Sequence, residues 1–292
     1  GEPKDPEGSH LVQIYDAFAT PAQREAFRAA LRGWAPGYDV VLVDAPPALA
    51  ISDPLEIASA VSGEVTLRLD GPAAHVTFAR PAARNAMTFA MYAQLAAICD
   101  QLDGQRDLCA IVFRGAGGAF VAGTDISEFT AFQSGADGLV YEDHIDTVLA
   151  RLARLPAPTL AVIEGAAVGG GLAIAAACDL RIVTPGAKFG VPIARTVGNC
   201  LSAANIARLI RAFGDGPVRR MLLLSEFLDG ATVHGLGFSS ACVPPDRIEA
   251  ETARQIARLC EAAPLTIAAC RTLLARLTEA APNDRDVIER VY

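Results

Sequence analysis

Apolar residues fall along this chain in two rhythms, and each predicts its own kind of element. In VTLRLD (65–70) and AHVTFAR (74–80) they alternate with polar ones, and Gly71-Pro72 lies between, which predicts a β-hairpin. CAIVF (109–113) and Leu160–Ile163 are unbroken apolar runs of strand length and predict buried strands. Elsewhere the period lengthens to that of a helix. Thr88 opens a helix whose apolar face takes Met91, Leu95, Ile98, Cys99 and Leu102. YEDHIDTVLARLARL (141–155) puts Ile145, Val148, Leu149 and Leu152 on one face. NIARLIRAFG (205–214), PVRRMLLLSEF (217–227), EAETARQIARLCEA (249–262) and PLTIAACRTLLARL (264–277) predict four more helices.

The first 63 residues stand apart. Thr20 suits a helix N-cap, Pro21 the first helical position, and Gln23 can complete a capping box. Ala26, Phe27, Ala30, Leu31 and Trp34 share one face of that helix, and YDVVLVD (38–44) reads as a strand stopped by Pro46-Pro47. A strand ending in Asp suggests a P-loop ATPase, but the chain contains no GxxxxGK[ST] loop. This part reads as a small α/β extension of unknown role, which the rest of the chain does not need.

Two glycine-rich stretches carry chemistry. Residues 159–183 read as a strand, then Gly169-Gly170-Gly171, then a short apolar helix closed by Asp179. Glycine lets a ligand approach the backbone, and the first N–H groups of a helix lack partners within it and face the positive end of its dipole. A carbonyl oxygen placed there finds a donor ready for negative charge. The alternative is that the glycines only let the helix pack closely on a sheet. Residues 115–129, GAGGAFVAGTDISEF, repeat the order of strand, glycines and polar turn.

Together these stretches resemble the crotonase superfamily, the enoyl-CoA hydratase/isomerase family. AFVAGTD (119–125) is similar to its "AFxAGxD" loop, and GAAVGGG (165–171) to its "GxxxGGG" helix start. RPAARNAM (80–87), LPAPTLAVIEG (155–165), CDLRI (178–182) and KFGVP (188–192) follow the family's order, and the likeness spans roughly residues 64–292. It implies an α/β fold, a crotonase-type spiral of ββα repeats with C-terminal helices. It divides the chain into an extension (1–63), a core (64–250) and a helical region for packing and oligomerisation (251–292). It implies an acyl-CoA thioester substrate and no permanently bound cofactor. Its oxyanion-hole donors map onto the N–H groups of Thr124 and Gly170, with Ala122, Asp125 and Gly169 beside them. Arg80 and Arg84 map to the turn under the CoA arm; the alternative is two surface arginines. A homotrimer or homohexamer follows from the same resemblance.

The chain departs from the hydratase pattern at two positions. Where hydratases carry a Glu after the glycines there is Ala173, and after FGVP there is Ile193. Neither can hold or activate water. Isomerase, lyase or hydrolase chemistry is therefore expected rather than standard hydration, with a non-catalytic acyl-CoA binder as the alternative. Asp146 is the candidate proton-transferring group, on a helix that passes the acyl end of the pocket in some members; a solvent-facing carboxylate is its bland alternative. Asn199, in the loop that lines the acyl pocket, is a candidate for orienting a carboxylate or water.

Composition narrows the classes further. A net charge of −8 argues against a nucleic-acid surface, and no apolar run has the length of a membrane span. Seven cysteines without a CxxC pair or a Cys/His cluster predict no metal site, and fit reduced thiols in a cytoplasmic protein.

Overall fold

The computed structural model describes residues 63–196 and 199–276. The chain divides into two compact units, Gly1–Val61 and Ser62–Tyr292. The helix and strand predicted at 20–34 and 38–44 belong to the first unit and lie outside the described residues.

In the second unit, β1 (Glu64–Asp70) and β2 (Ala73–Ala79) form the predicted hairpin, with Val65 opposite Phe78 and Leu67 opposite Val76. Thr88 caps α1 (Phe89–Asp103), its hydroxyl accepting the Met91 N–H at 3.2 Å. The five predicted face residues are buried, and Tyr92 with them. β3 (Ala110–Gly115) is followed by a long loop and α2 (Gly135–Ala153). α2 starts earlier than its apolar period suggests, because the Asp137 carboxylate accepts the Ser134 N–H at 2.9 Å and closes a capping box. β4 (Thr159–Ile163), β5 (Ala166–Val168) and α3 (Gly170–Ala177) come next, then β6 (Leu180–Val183) and β7 (Lys188–Gly190).

The remainder is mostly helical: α4 (Ala203–Phe213), α5 (Asp215–Leu224), β8 (Leu228–Asp229), α6 (Gly230–Gly235), β9 (Ala241–Cys242), α7 (Ile248–Glu261) and α8 (Pro264–Arg276). α5 ends at Leu224, short of the predicted Phe227, because Ser225 adopts a left-handed φ of 54° and Leu228 pairs with β7.

Two sheets result, one ordered β1-β2-β3-β4-β6-β9 and the other β5-β7-β8. β3 pairs in the first, and Val121 after it bridges Ala167 of the second. β4 and β6 again lie in the first sheet, while β5 and β7 lie in the second. The chain therefore winds as a spiral whose turns add one strand to each sheet, as expected for a crotonase-type fold. The larger sheet is covered on both faces, which explains its unbroken apolar strands. Ile111, Phe113, Ala161, Ile163 and Val183 face the main core. Val112, Leu160, Val162 and Ile182 face the other way, against Ile248 and Ile256 of α7.

The cysteines correct one expectation. Cys109, just before β3, and Cys260 of α7 form a disulfide, so the seven thiols are not all reduced. The partners are 151 residues apart in sequence, and no local spacing announces such a pair. Among the described residues no group of His, Cys, Asp and Glu could hold a metal ion, and no described helix is long and apolar enough to cross a membrane.

Candidate active site

β5 is followed by Gly169, the N-cap of α3, whose φ of +51° lies where side chains are rarely tolerated. Its N–H bonds the Gly190 carbonyl and its own carbonyl accepts the Ala173 N–H at 3.0 Å. α3 begins at the next residue, Gly170, so the Gly170 N–H belongs to the first helical turn and has no acceptor within the helix. The second loop arrives from Val121. Gly123 has a φ of +121°, and Thr124 follows it. Met87 pairs with this loop through the Gly123 carbonyl (2.8 Å) and the Asp125 N–H (2.9 Å). That parallel bridge uses the groups on either side of Thr124 and turns the Thr124 N–H the other way.

The two loops touch through their glycines. A β-carbon added to Gly123 would stand 3.5 Å from the Val168 carbonyl oxygen, and one on Gly170 would stand 3.8 Å from the Thr124 nitrogen. A β-carbon on Gly171 would collide with the Val121 carbonyl. The glycines are thus needed for close approach as well as for turning. They bring the backbone at Thr124 and at Gly170 side by side.

Side chains behind this point were not legible in the sequence. The Thr124 hydroxyl lies 2.9 Å from the Tyr92 hydroxyl and 2.7 Å from that of Tyr141. Tyr92 is fully buried, and its hydroxyl fills the space beside Gly170. Burial pushes the Tyr92 phenol up to about 12; hydrogen bonds to Thr124 and Tyr141 oppose this, and the charge of Glu142 adds to it. Glu142, on α2, is 3% exposed, and its carboxylate accepts the Ser202 N–H at 3.1 Å. The only sequence hint of its role is a carboxylate one helical turn before Asp146.

Asp146 is half-buried rather than solvent-facing. Its Oδ1 accepts from the Ser202 hydroxyl and from the Asn205 side-chain amide, both at 2.9 Å. Ser202 also caps α4. Two carboxylates of α2, Glu142 and Asp146, therefore hold the positive end of α4, where negative charge is favoured. His144, between them in sequence, is exposed. Ala173 is 1% exposed on α3, and Ile193 packs on the main core from a short 3₁₀ turn. Asn199 is half-buried in the loop before α4.

Arg80 and Arg84 part company. Arg80 turns inward: its guanidinium bonds the Asp125 carboxylate at 2.6 Å and the Ala86 carbonyl. Arg84 is exposed, with a left-handed φ of 50°, and its carbonyl accepts the Ala122 N–H at 3.0 Å. Asp125 caps the 3₁₀ turn Ile126–Ala131 by accepting the Ser127 N–H. Burial opposes its charge, yet the hydrogen bonds from Ser127 and Arg80 hold its carboxyl below the usual range. Arg80 and Asp125 thus brace the loop that presents Thr124. Asp179, at the far end of α3, binds Thr159 and Arg271 and lies apart from the donors.

Known proteins resemble this chain in sequence and in fold. A sequence model described as enoyl-CoA hydratase/isomerase matches residues 70–289. A probable enoyl-CoA hydratase of Bacillus subtilis (strain 168) is 30% identical over 211 residues, which is 72% of this chain and 81% of the relative. The mitochondrial enoyl-CoA hydratase domain-containing protein 2 of Homo sapiens is 33% identical over 205 residues, 68% of this chain and 69% of the relative. Among solved structures, an enoyl-CoA hydratase/carnithine racemase from Magnetospirillum magneticum superposes with a TM-score of 0.71 at 29% identity, covering 75% of this chain and 82% of that one. An enoyl-CoA hydratase from Mycobacterium smegmatis gives a TM-score of 0.69 at 27% identity, covering 77% and 87%.

Proposed function

The chain belongs to the enoyl-CoA hydratase/isomerase family, and from that premise we propose that it binds an acyl-CoA thioester and stabilises its enolate between the N–H groups of Thr124 and Gly170. The observation that carries this reading is the contact of the two glycine loops, with Thr124 N near the β-position of Gly170. Removing an α-proton from a thioester puts negative charge on the carbonyl oxygen. Fixed backbone donors gain more from that oxyanion than from the neutral carbonyl, so they lower the barrier. Being backbone groups of braced loops, they need no reorganisation as the charge develops.

The overall reaction is set by the groups around the enolate. Ala173 and Ile193 offer no carboxylate for water, so the reading favours isomerase, lyase or hydrolase chemistry over standard hydration. The proton step falls to Asp146 on α2, oriented by Ser202 and Asn205. Exposed Leu223 and Leu224 on α5, and Leu265, Leu273 and Leu274 on α8, support assembly as a homotrimer or homohexamer.

The test is incubation of the protein in heavy water with a panel of acyl- and enoyl-CoA thioesters, followed by mass spectrometry of acyl chains and products. The reading expects deuterium uptake or a new product from wild type, and neither from Asp146→Asn that still binds thioester. Exchange that persists in Asp146→Asn removes Asp146 from the proton step. Binding with neither exchange nor product in wild type supports a non-catalytic acyl-CoA binder.

A further inference from the structure

Asp146 takes hydrogen bonds from two side chains that are themselves fixed from behind. Ser202 and Asn205, at the start of α4, are 2% and 1% exposed. The Asn205 backbone N–H is donated to the Ser202 side-chain oxygen at 3.2 Å, and the Ser202 N–H to the Glu142 carboxylate at 3.1 Å. With its oxygen serving as the cap, Ser202 gives its one hydroxyl proton to Asp146 Oδ1.

Asn205 is held from its other side by Arg208, three positions further along α4, where helical side chains are neighbours. A guanidinium N–H of Arg208 is donated to Asn205 Oδ1, while the Asn205 Nδ2 donates to Asp146 Oδ1 at 2.9 Å. A guanidinium has donors and no acceptor. It therefore admits only the oxygen of the amide, and the amide NH2 must point at Asp146. An amide turned through 180° would set donor against donor at Arg208 and acceptor against acceptor at Asp146. Arg208 is half-buried, and burial pushes its pKa down; the charge of Asp146 opposes this and that of Arg211 adds to it. Carboxylate and guanidinium thus attract each other, with the Asn205 amide bonded to both. Charge-assisted bonds of this kind are shorter and stronger than those between neutral groups.

We propose that Arg208 is a positioning residue for the proton step: it locks the Asn205 amide and, through it, the orientation of the Asp146 carboxylate. The inference rests on the reading of Asp146 given above. Two fixed donors on Oδ1 aim the carboxylate in one direction, and proton transfer depends steeply on such alignment. The bond from Arg208 to Asn205 uses a single N–H, so an ammonium can replace the guanidinium there.

The experiment follows deuterium uptake by butyryl-CoA and crotonyl-CoA in heavy water on the full chain, with each thioester's affinity measured by titration calorimetry. Arg208→Met keeps the apolar stem and loses the donor. It should lower the exchange rate at saturating thioester about tenfold to a hundredfold and change affinity less than about twofold. Arg208→Lys should restore most of the rate. Asn205→Leu should lose at least as much as Arg208→Met, and combining the two should lower the rate no further, because Arg208 acts through the missing amide. Arg208→Leu and Asn205→Ala are the second variants should either of these fail to fold. A rate unchanged in Arg208→Met, while Asp146→Asn abolishes exchange, overturns the inference and leaves the Asp146 reading standing. A lysine variant no better than the methionine one, losses that multiply in the double variant, or a fall in affinity as large as the fall in rate also overturn it. Arg208 would then act elsewhere or only hold the fold. Wild type without exchange, or exchange that survives Asp146→Asn, overturns both.

Discussion

The hydroxyl of Tyr92 stands where a β-carbon of residue 170 would have to be. Tyr92 comes from α1 and is fully buried, with no open space to swing into. A second obstacle, the Thr124 hydroxyl, lies 3.1 Å from the same point. Gly170→Ala should therefore lower stability by about 1–3 kcal/mol, the usual cost of overpacking, and should weaken thioester binding. Tyr92→Phe removes the obstructing oxygen, so the double variant should recover most of the loss in urea unfolding. Gly171→Ala should not be rescued by Tyr92→Phe, because its obstacle is the Val121 carbonyl. Equal behaviour of the two alanine variants in the Tyr92→Phe background would contradict this packing.

Stability should fall in alkali, beginning near pH 9. Burial raises the thiols of Cys99 and Cys178 from 9.0 to about 12, and the phenol of Tyr92 from 10.0 to about 12. In each case the folded state keeps a proton that the unfolded state has lost. The stabilisation is complete below the unfolded values and is lost as pH rises toward 12, by about 1.4 kcal/mol per pH unit for each group. Urea titrations between pH 8 and about 11 should show this slope. Cys178→Ala should flatten it from pH 9 upward and Tyr92→Phe only above pH 10. A profile unchanged by either variant would contradict the assignment.

Thiol counting tests the disulfide. Without reductant, the denatured protein should give five free thiols, since Cys99, Cys178, Cys200, Cys242 and Cys270 are unbridged. Reduction should raise the count to the full seven and cost stability, by about 2–4 kcal/mol for a disulfide closing a long loop. Seven thiols before reduction would show that Cys109 and Cys260 are not joined.

Hydration of crotonyl-CoA should be absent or slow. A positioned acid or base contributes about 10²–10⁴-fold, and Ala173 and Ile193 supply neither. Turnover on the order of 10 per second would show that another side chain holds the water.

The architecture was legible because its signals are local. Alternation marked the hairpin, unbroken apolar runs marked the strands covered on both faces, and the helical period named Met91, Leu95, Ile98, Cys99 and Leu102 of α1, which are all buried. The two glycine motifs carried the family resemblance, and it was that resemblance that mapped the candidate donors onto Thr124 and Gly170. What could not be read was tertiary. Tyr92 precedes Thr124 by 32 residues, and nothing between them records that their hydroxyls meet. Cys109 and Cys260 are further apart still. Asp146 was legible as an acid on α2, but not as one half of a pair with Glu142 gripping Ser202.

The central claim is that a thioester oxygen is held by two backbone N–H groups, and amide NMR reads those groups directly. Protein labelled with 15N at threonine and glycine would be titrated with free CoA, with an alkyl-CoA thioether, and with a non-reacting acyl-CoA thioester. The account predicts that the amide protons of Thr124 and Gly170 move downfield with the acyl thioester, and not with free CoA or with the thioether, which lacks the carbonyl. Saturable thioester binding that leaves both amides unmoved, or moves them equally with the thioether, would contradict it.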